Sequence, residues 1–186
     1  MTQRNAELPP GKDLPFYVCG ISLAMHPRNP IAPTIHLNYR YFEIEVGKDE
    51  QGKPKKIEHR GIGGFFFDNL TDTSEETFQC IRSCANSMLD AYVPILKLRK
   101  DMPFTEEQKE WQQIRRGRYV EFNIMYDRGT KFGLLTPGSR VESIMMSLPL
   151  TARWEYMHSP KEDSWEGKTY EVLKHPVDWM KVELEP

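Results

Sequence analysis

The sequence predicts an α+β protein organised around a mainly antiparallel β-sheet flanked by helices. Three observations carry that expectation. Residues 34–46 alternate apolar and polar side chains with the period of two that a strand imposes. In the middle of the chain, Phe78, Ile81, Ala85, Met88 and Tyr92 recur at helical spacing. The order is strands, then helices, then strands mixed with helices, without the regular strand–helix alternation that parallel sheets need. At 186 residues the chain fits one domain and can bury roughly 70% of its unfolded surface. Residues 1–13 are polar, broken by proline and glycine, and read as a flexible arm; residues 14–182 read as a single domain.

The elements follow in order. Leu14 to Met25 is apolar, with Gly20 inside it, and reads as a strand. His26 to Pro33 holds three prolines and reads as a loop. Thr34 to Val46 is the strongest strand. Gly47 to Lys56 is a charged loop, and Ile57 to Asp68 a second strand containing Gly61, Gly63 and Gly64. Ser74 is placed to cap a helix with Glu75 and Glu76 in its first turn, and Pro94 is expected to kink or end it. Thr105 and Gln108 form a capping box for a helix running to Arg116, closed by Gly117. Arg118 to Tyr126 alternates as a strand, Asp127-Arg128-Gly129 turns, and Lys131 to Thr136 continues as another strand. Ser139 and Glu142 suggest a second capping box, opening a helix with Val141, Ile144, Met145 and Leu148 on one face. Thr151 to Met157 reads as a last strand, and 169–174 as a short helix.

Composition excludes several classes. Acidic residues number 27 and basic residues 25, a net charge of −2, which argues against a nucleic-acid protein held by bulk phosphate attraction. No apolar run approaches the roughly 18–20 residues of a membrane span. No presequence is visible, which points to the cytoplasm. Cys19, Cys80 and Cys84 are an odd count without a Cys-x-x-Cys pair, so they read as reduced thiols. The five histidines lack paired ligand spacing, and no metal is expected.

Three patterns bear on chemistry. Alternation in the 34–46 strand puts Ile35, Leu37, Tyr39 and Tyr41 on one face and His36, Asn38, Arg40 and Phe42 on the other. Either the second face is a solvated strand side, or it is a ligand wall offering a proton-transfer imidazole, an amide, and a guanidinium for a carboxylate or phosphate. Thr136-Pro137-Gly138-Ser139-Arg140 is either an ordinary turn or an anion grip at a helix N-terminus. Arg60, Arg115, Arg116, Arg118, Arg128 and Arg153 are surface charges or, in part, the lining of a cleft for a polycarboxylate. The Gly61–Gly64 stretch is no nucleotide loop, because no Lys-Ser/Thr follows it.

Longer stretches resemble a known family. Ala32-Pro-Thr-Ile-His-Leu-Asn-Tyr-Arg-Tyr-Phe-Glu43, Arg60-Gly-Ile-Gly-Gly-Phe-Phe-Phe-Asp68, Arg116-Gly-Arg-Tyr-Val-Glu-Phe-Asn123, Tyr126-Asp-Arg-Gly-Thr-Lys-Phe-Gly133, Thr136-Pro-Gly-Ser-Arg140 and Ser147-Leu-Pro-Leu-Thr-Ala-Arg-Trp-Glu-Tyr156 look like oxygen-dependent coproporphyrinogen III oxidase. The resemblance runs from about Leu14 to Trp179. It implies a flat antiparallel sheet with helices on both faces and a homodimer formed through about residues 119–155. It also implies conversion of two propionates of coproporphyrinogen III to vinyls, giving protoporphyrinogen IX, with O2 as co-substrate and no organic cofactor. By the same resemblance His36 is the acid/base, and Ser22, Asn38, Tyr39, Arg40, Gly138, Ser139 and Arg140 contact substrate. The family occurs in cytosol or in the mitochondrial intermembrane space.

The chain also departs from the family pattern. It lacks an N-terminal portion, and between Glu43 and Glu58 a charged loop replaces a strand that ends in the aspartate expected to handle the pyrrole N–H protons. Glu43, Glu45 and Asp68 are the candidates to replace it. His26 and His36 match two positions proposed as metal ligands in bacterial relatives, while the others fall in the missing segment. A catalytically impaired paralogue, acting as a tetrapyrrole-binding or dimerising module, is therefore the alternative to an active enzyme.

Overall fold

A computed structural model describes residues 16–44, 58–59, 65–66 and 74–177. The elements are β1 (Phe16–Met25), β2 (Ile35–Ile44), β3 (Glu58–His59), β4 (Phe65–Phe66), α1 (Glu75–Arg99), α2 (Glu106–Met125), α3 (Arg128–Leu135), α4 (Val141–Ile144), a 3-10 turn (Met145–Ser147) and α5 (Trp165–Lys174). The result is an α+β fold of two-stranded sheets and helices. β1 pairs with β2. Gly20 lies against Tyr39 and Arg40, and Ser22 against Leu37, so the partners run in opposite directions and the pair is antiparallel. β3 and β4 are antiparallel, with Glu58 opposite Phe66 and His59 opposite Phe65.

That second pairing corrects one expectation: the stretch read as one strand, 57–68, contains two short strands paired with each other. The glycines Gly61, Gly63 and Gly64, the loop at 47–56, the N-terminal arm and Arg60 lie outside the described residues.

The helices hold further corrections. Ser74 caps α1 as expected, its Oγ accepting from Thr77 N at 3.3 Å. Pro94, however, sits inside α1 without ending it. Proline removes one ladder donor, but tertiary anchors grip the helix on either side. The buried Tyr92 donates its hydroxyl to Pro33 O at 2.8 Å, and Arg99 Nη1 donates to Ile31 O at 3.4 Å. The capping box of α2 is complete, with Thr105 N donating to Gln108 Oε1 (2.9 Å) and Gln108 N to Thr105 Oγ1 (3.2 Å).

Gly117 does not close α2, which continues to Met125. Its role is close approach. A Cβ at Gly117 would collide with Arg153 O, and Arg153 N donates to Gln113 O at 3.0 Å, so the 153 main chain lies directly on this helix. The residues read as a strand, 118–126, therefore finish the helix. Their alternating apolar side chains are spread around it, leaving Phe122, Ile124 and Tyr126 exposed.

Lys131 to Thr136 is likewise helix rather than strand. Asp127 is the N-cap of α3, its Oδ2 accepting from Thr130 N at 2.7 Å. The second capping box does not form. Arg140 occupies the N-cap of the single-turn α4 without a side-chain bond, while Ser139 N closes a turn onto Thr136 O at 3.2 Å. Gly138 takes φ +77°, as the third residue of a Pro-Gly type II turn must. Thr151 to Met157 forms no strand. α5 starts at Trp165, earlier than expected, because Ser164 caps it by accepting from Gly167 N at 3.0 Å.

The chain divides into two units. The larger comprises Cys19–Tyr41 and Ser83–Met157. Its centre is the proline-bearing connection between β1 and β2, where Pro27, Asn29 and Ala32 are buried with Tyr92, Ile114 and Arg116. Carbonyls and side chains of this connection are tied down from several elements. Asn29 Nδ2 donates to Lys100 O (3.1 Å) and Met102 O (2.7 Å). Lys109 Nζ reaches Arg28 O (2.6 Å), and Gln112 Nε2 reaches Pro27 O (3.0 Å). Arg116 Nη2 also reaches Pro27 O, at 2.6 Å. Proline limits the loop's freedom, and these bonds satisfy carbonyls that burial would otherwise strand. The other unit, Met1–Val18, Phe42–Arg82 and His158–Pro186, contains the β3–β4 pair and α5.

Candidate functional site

The β1–β2 pair has two unlike faces. A Cβ built on Gly20 would sit 3.5 Å from Arg40 Cβ, so Gly20 and Arg40 share a face. Strand alternation then puts Ser22 on that face with His36, Asn38 and Arg40. All four are exposed. Ser22 Oγ donates to Leu37 O at 3.4 Å. Gly20 matters here because a side chain would meet Tyr39 O at 2.6 Å and hold the strands apart.

The opposite face is half-buried at Ile35, Leu37 and Tyr39. Burial, and next the nearby Cys84 thiol on α1, push the Tyr39 hydroxyl above its ordinary pKa of 10.0. Tyr39 is therefore turned away from the polar row. The sequence-derived set splits at this residue, because a strand cannot present neighbouring side chains to one face.

The polar row extends to α3. Arg40 Nη2 and Nη1 lie 3.1 and 3.4 Å from the point a Gly129 Cβ would occupy, and Asp127 Oδ2 lies 3.2 Å from it. The absent side chain at Gly129 leaves room for the guanidinium, and Asp127 supplies a carboxylate on the same spot. In the sequence Asp127 reads only as a turn residue. The signal for its capping role is an aspartate three residues before Thr130, the spacing of an N-cap.

Gly138, Ser139 and Arg140 are exposed beyond the C-terminal end of α3, whereas Arg40 meets its N-terminal end. Eight helical residues separate the two places, about 12 Å at 1.5 Å per residue. The structure thus gathers Ser22, His36, Asn38 and Arg40, adds Asp127, and leaves 138–140 as a second corner.

The arginine cleft does not form among the described residues. Arg116 is buried under the β1–β2 connection, where burial lowers its pKa. Arg118 pairs with Glu121 at 2.9 Å and Arg153 with Glu110 at 2.7 Å, while Arg115 stacks over Trp111 at 5.6 Å. No cluster of three or more His, Cys, Asp or Glu side chains able to hold a metal occurs among the described residues. None of Cys19, Cys80 and Cys84 is in a disulfide. No helix of the described residues is long and apolar enough to cross a membrane.

Fold and site together define an α+β protein that displays a hydroxyl, an imidazole, an amide and a guanidinium from one sheet face, beside a carboxylate at a helix start. Such a row suits an organic ligand bearing carboxylates and exchangeable protons. The chain belongs to the coproporphyrinogen III oxidase family: the family model so described matches residues 1–56 and 52–179. It is 48% identical to the human oxygen-dependent coproporphyrinogen-III oxidase, mitochondrial, over 90% of this chain and 48% of that protein. The Drosophila melanogaster oxygen-dependent enzyme is 42% identical over 97% of this chain and 59% of its own length. The chloroplastic enzyme of Glycine max is 42% identical over 90% and 57%. The chain thus spans about half the length of the curated relatives it matches. The human alignment runs over 219 positions, more than the 186 residues here, so that relative carries internal residues without a counterpart in this chain.

Proposed function

We propose that this chain acts on coproporphyrinogen III, converting propionates to vinyls with O2 on the way to protoporphyrinogen IX. Each turnover removes one carboxyl: a –CH2–CH2–COOH side chain and O2 become –CH=CH2, CO2 and H2O2. The observation that carries the reading is the shared face of Ser22, His36, Asn38 and Arg40, in a chain 48% identical to a protein named for this activity. Arg40 anchors a substrate carboxylate, a charge-assisted contact contributing about 1.5–3 kcal/mol. Asn38 and Ser22 orient the tetrapyrrole edge, and His36 moves the proton at the reacting ring. Asp127 is a carboxylate that borders the space at Gly129 together with Arg40, and it takes the part assigned to the aspartate absent from 44–57. Tyr39 fixes the strand from behind. Gly138, Ser139 and Arg140 hold a second carboxylate. O2 enters as co-substrate, with no organic cofactor and no metal.

The internal residues without a counterpart here favour a second reading, a tetrapyrrole-binding or dimerising module without turnover. Aerobic incubation with coproporphyrinogen III, followed by chromatography for mono- and divinyl products, separates the two. Product that disappears in Arg40→Ala supports the enzyme; porphyrin binding without product supports the module.

The partner in either reading is a second copy, through about residues 119–155. Ile124, Leu135, Met146, Leu150 and Trp154 in this stretch are exposed by 48, 82, 78, 98 and 57%, more apolar surface than a lone surface normally shows. The location is proposed to be cytoplasmic, with an organellar one the alternative that the relatives' names suggest. Fractionation of cells expressing the natural gene discriminates them.

A further inference from the structure

His26 follows directly on β1, the strand that carries Ser22, and its ring is committed to the fold. Nε2 lies 2.8 Å from Ser147 O. A carbonyl only accepts, so Nε2 carries the proton and donates. Nδ1 is buried and has no hydrogen-bond partner, and the ring tilts against Tyr119 with centroids 5.4 Å apart. One turn back along α2, Arg116 holds Pro27 O, the carbonyl after His26, and its buried Nε is also without a partner. An orphaned acceptor and an orphaned donor thus lie on residues already joined through Pro27.

Ser147 ends the segment that begins at the Gly138–Arg140 corner. Between them, Ile144 packs on α3 where Gly133 has no side chain, its Cγ1 3.0 Å from the Gly133 Cβ position. The segment is therefore pinned at two points, Ile144 on Gly133 and Ser147 on His26. The second ties it to the residue that follows β1. We propose that His26 is a positioning residue, which sets the distance between the 138–140 corner and the polar row on β1 and β2. It acts through Ser147 and touches no substrate. That role rests on the substrate reading of Ser139 and Arg140; the pin itself does not.

The test compares His26→Ala with His26→Gln, whose side-chain amide N–H replaces the Nε2 donor. Amide hydrogen exchange is followed along 141–148, and binding of coproporphyrin III is titrated by fluorescence. His26→Ala speeds exchange at 141–148 by about tenfold, with exchange in α1 unchanged, and weakens porphyrin binding by a similar factor. His26→Gln returns both toward wild type. Unchanged exchange in His26→Ala, or equal loss in both variants, overturns the proposal. If wild type binds no porphyrin while exchange responds as stated, the pin stands and the substrate reading falls. Should His26→Ala fail to fold, His26→Gln with wild-type exchange keeps the proposal and faster exchange at 141–148 ends it.

Discussion

Arg116 shows how one residue type serves opposite purposes in this chain. An arginine in a run of arginines reads as a surface or substrate-binding charge, yet this one is 7% exposed and bonded to Pro27 O. Removing it takes away one of the two side-chain donors to Pro27 O, the other being Gln112, and leaves a hole. Arg116→Ala is expected to lose about 2–3 kcal/mol of stability in urea unfolding, with no gain from relieving charge. Tyr92 is the neutral counterpart. Burial holds its hydroxyl above the ordinary 10.0, so the folded chain keeps this proton better than the unfolded one. Its contribution is complete below pH 10 and is lost as pH rises from there through the raised folded value. Tyr92→Phe should cost about 1 kcal/mol at pH 8, through the lost bond to Pro33 O. It should also flatten the alkaline fall, which urea midpoints at pH 8 and 11 would read out.

Among the elements, α2 separates propensity from packing. Helix propensity alone says that alanine at Gly117 stabilises by about 1 kcal/mol. The Arg153 carbonyl against that position says the reverse. Gly117→Ala should destabilise by about 1–3 kcal/mol, because either α2 or the 153 segment must shift. Thr105→Ala should cost about 1 kcal/mol by opening the capping box. Thermal melts of the two variants check both. The contrast explains which elements were legible. β1, β2, the loop between them, α1 and the start of α2 are written in local signals: alternation, prolines, caps. The strands expected at 118–126, 131–136 and 151–157 are absent, because an alternating pattern specifies a strand only where a partner strand is present. Here 118–126 continues a helix already nucleated at Thr105, and 128–135 is started by Asp127.

For the whole molecule, the notable quantity is uncovered apolar surface. Only Ala32, Tyr92 and Ile114 are buried hydrophobic residues among those described, while Leu150, Tyr156, Leu135 and Met157 are at least 80% exposed. Sedimentation at micromolar concentration is expected to give a dimer, and Met146→Lys with Leu150→Lys to shift it toward monomer. A wild-type monomer at all concentrations would remove the dimer reading. The site is partly a property of this larger scale. The row of His36, Asn38 and Arg40 could be read from strand alternation, since side chains two apart share a face whatever surrounds them. Ser22 joins that row only through strand pairing, Asp127 only through the approach of α3, and Tyr39 leaves it for the same geometric reason. The sequence by itself determined the α+β class, the two long strands, the polar side of the second and the family, all of which follow from local periodicity and contiguous motifs. Tertiary structure alone decided which glycines admit a neighbour, which arginine is buried, and which carboxylate borders, with Arg40, the space left at Gly129. Those depend on contacts between residues some 11 to 89 positions apart, and no local pattern encodes them.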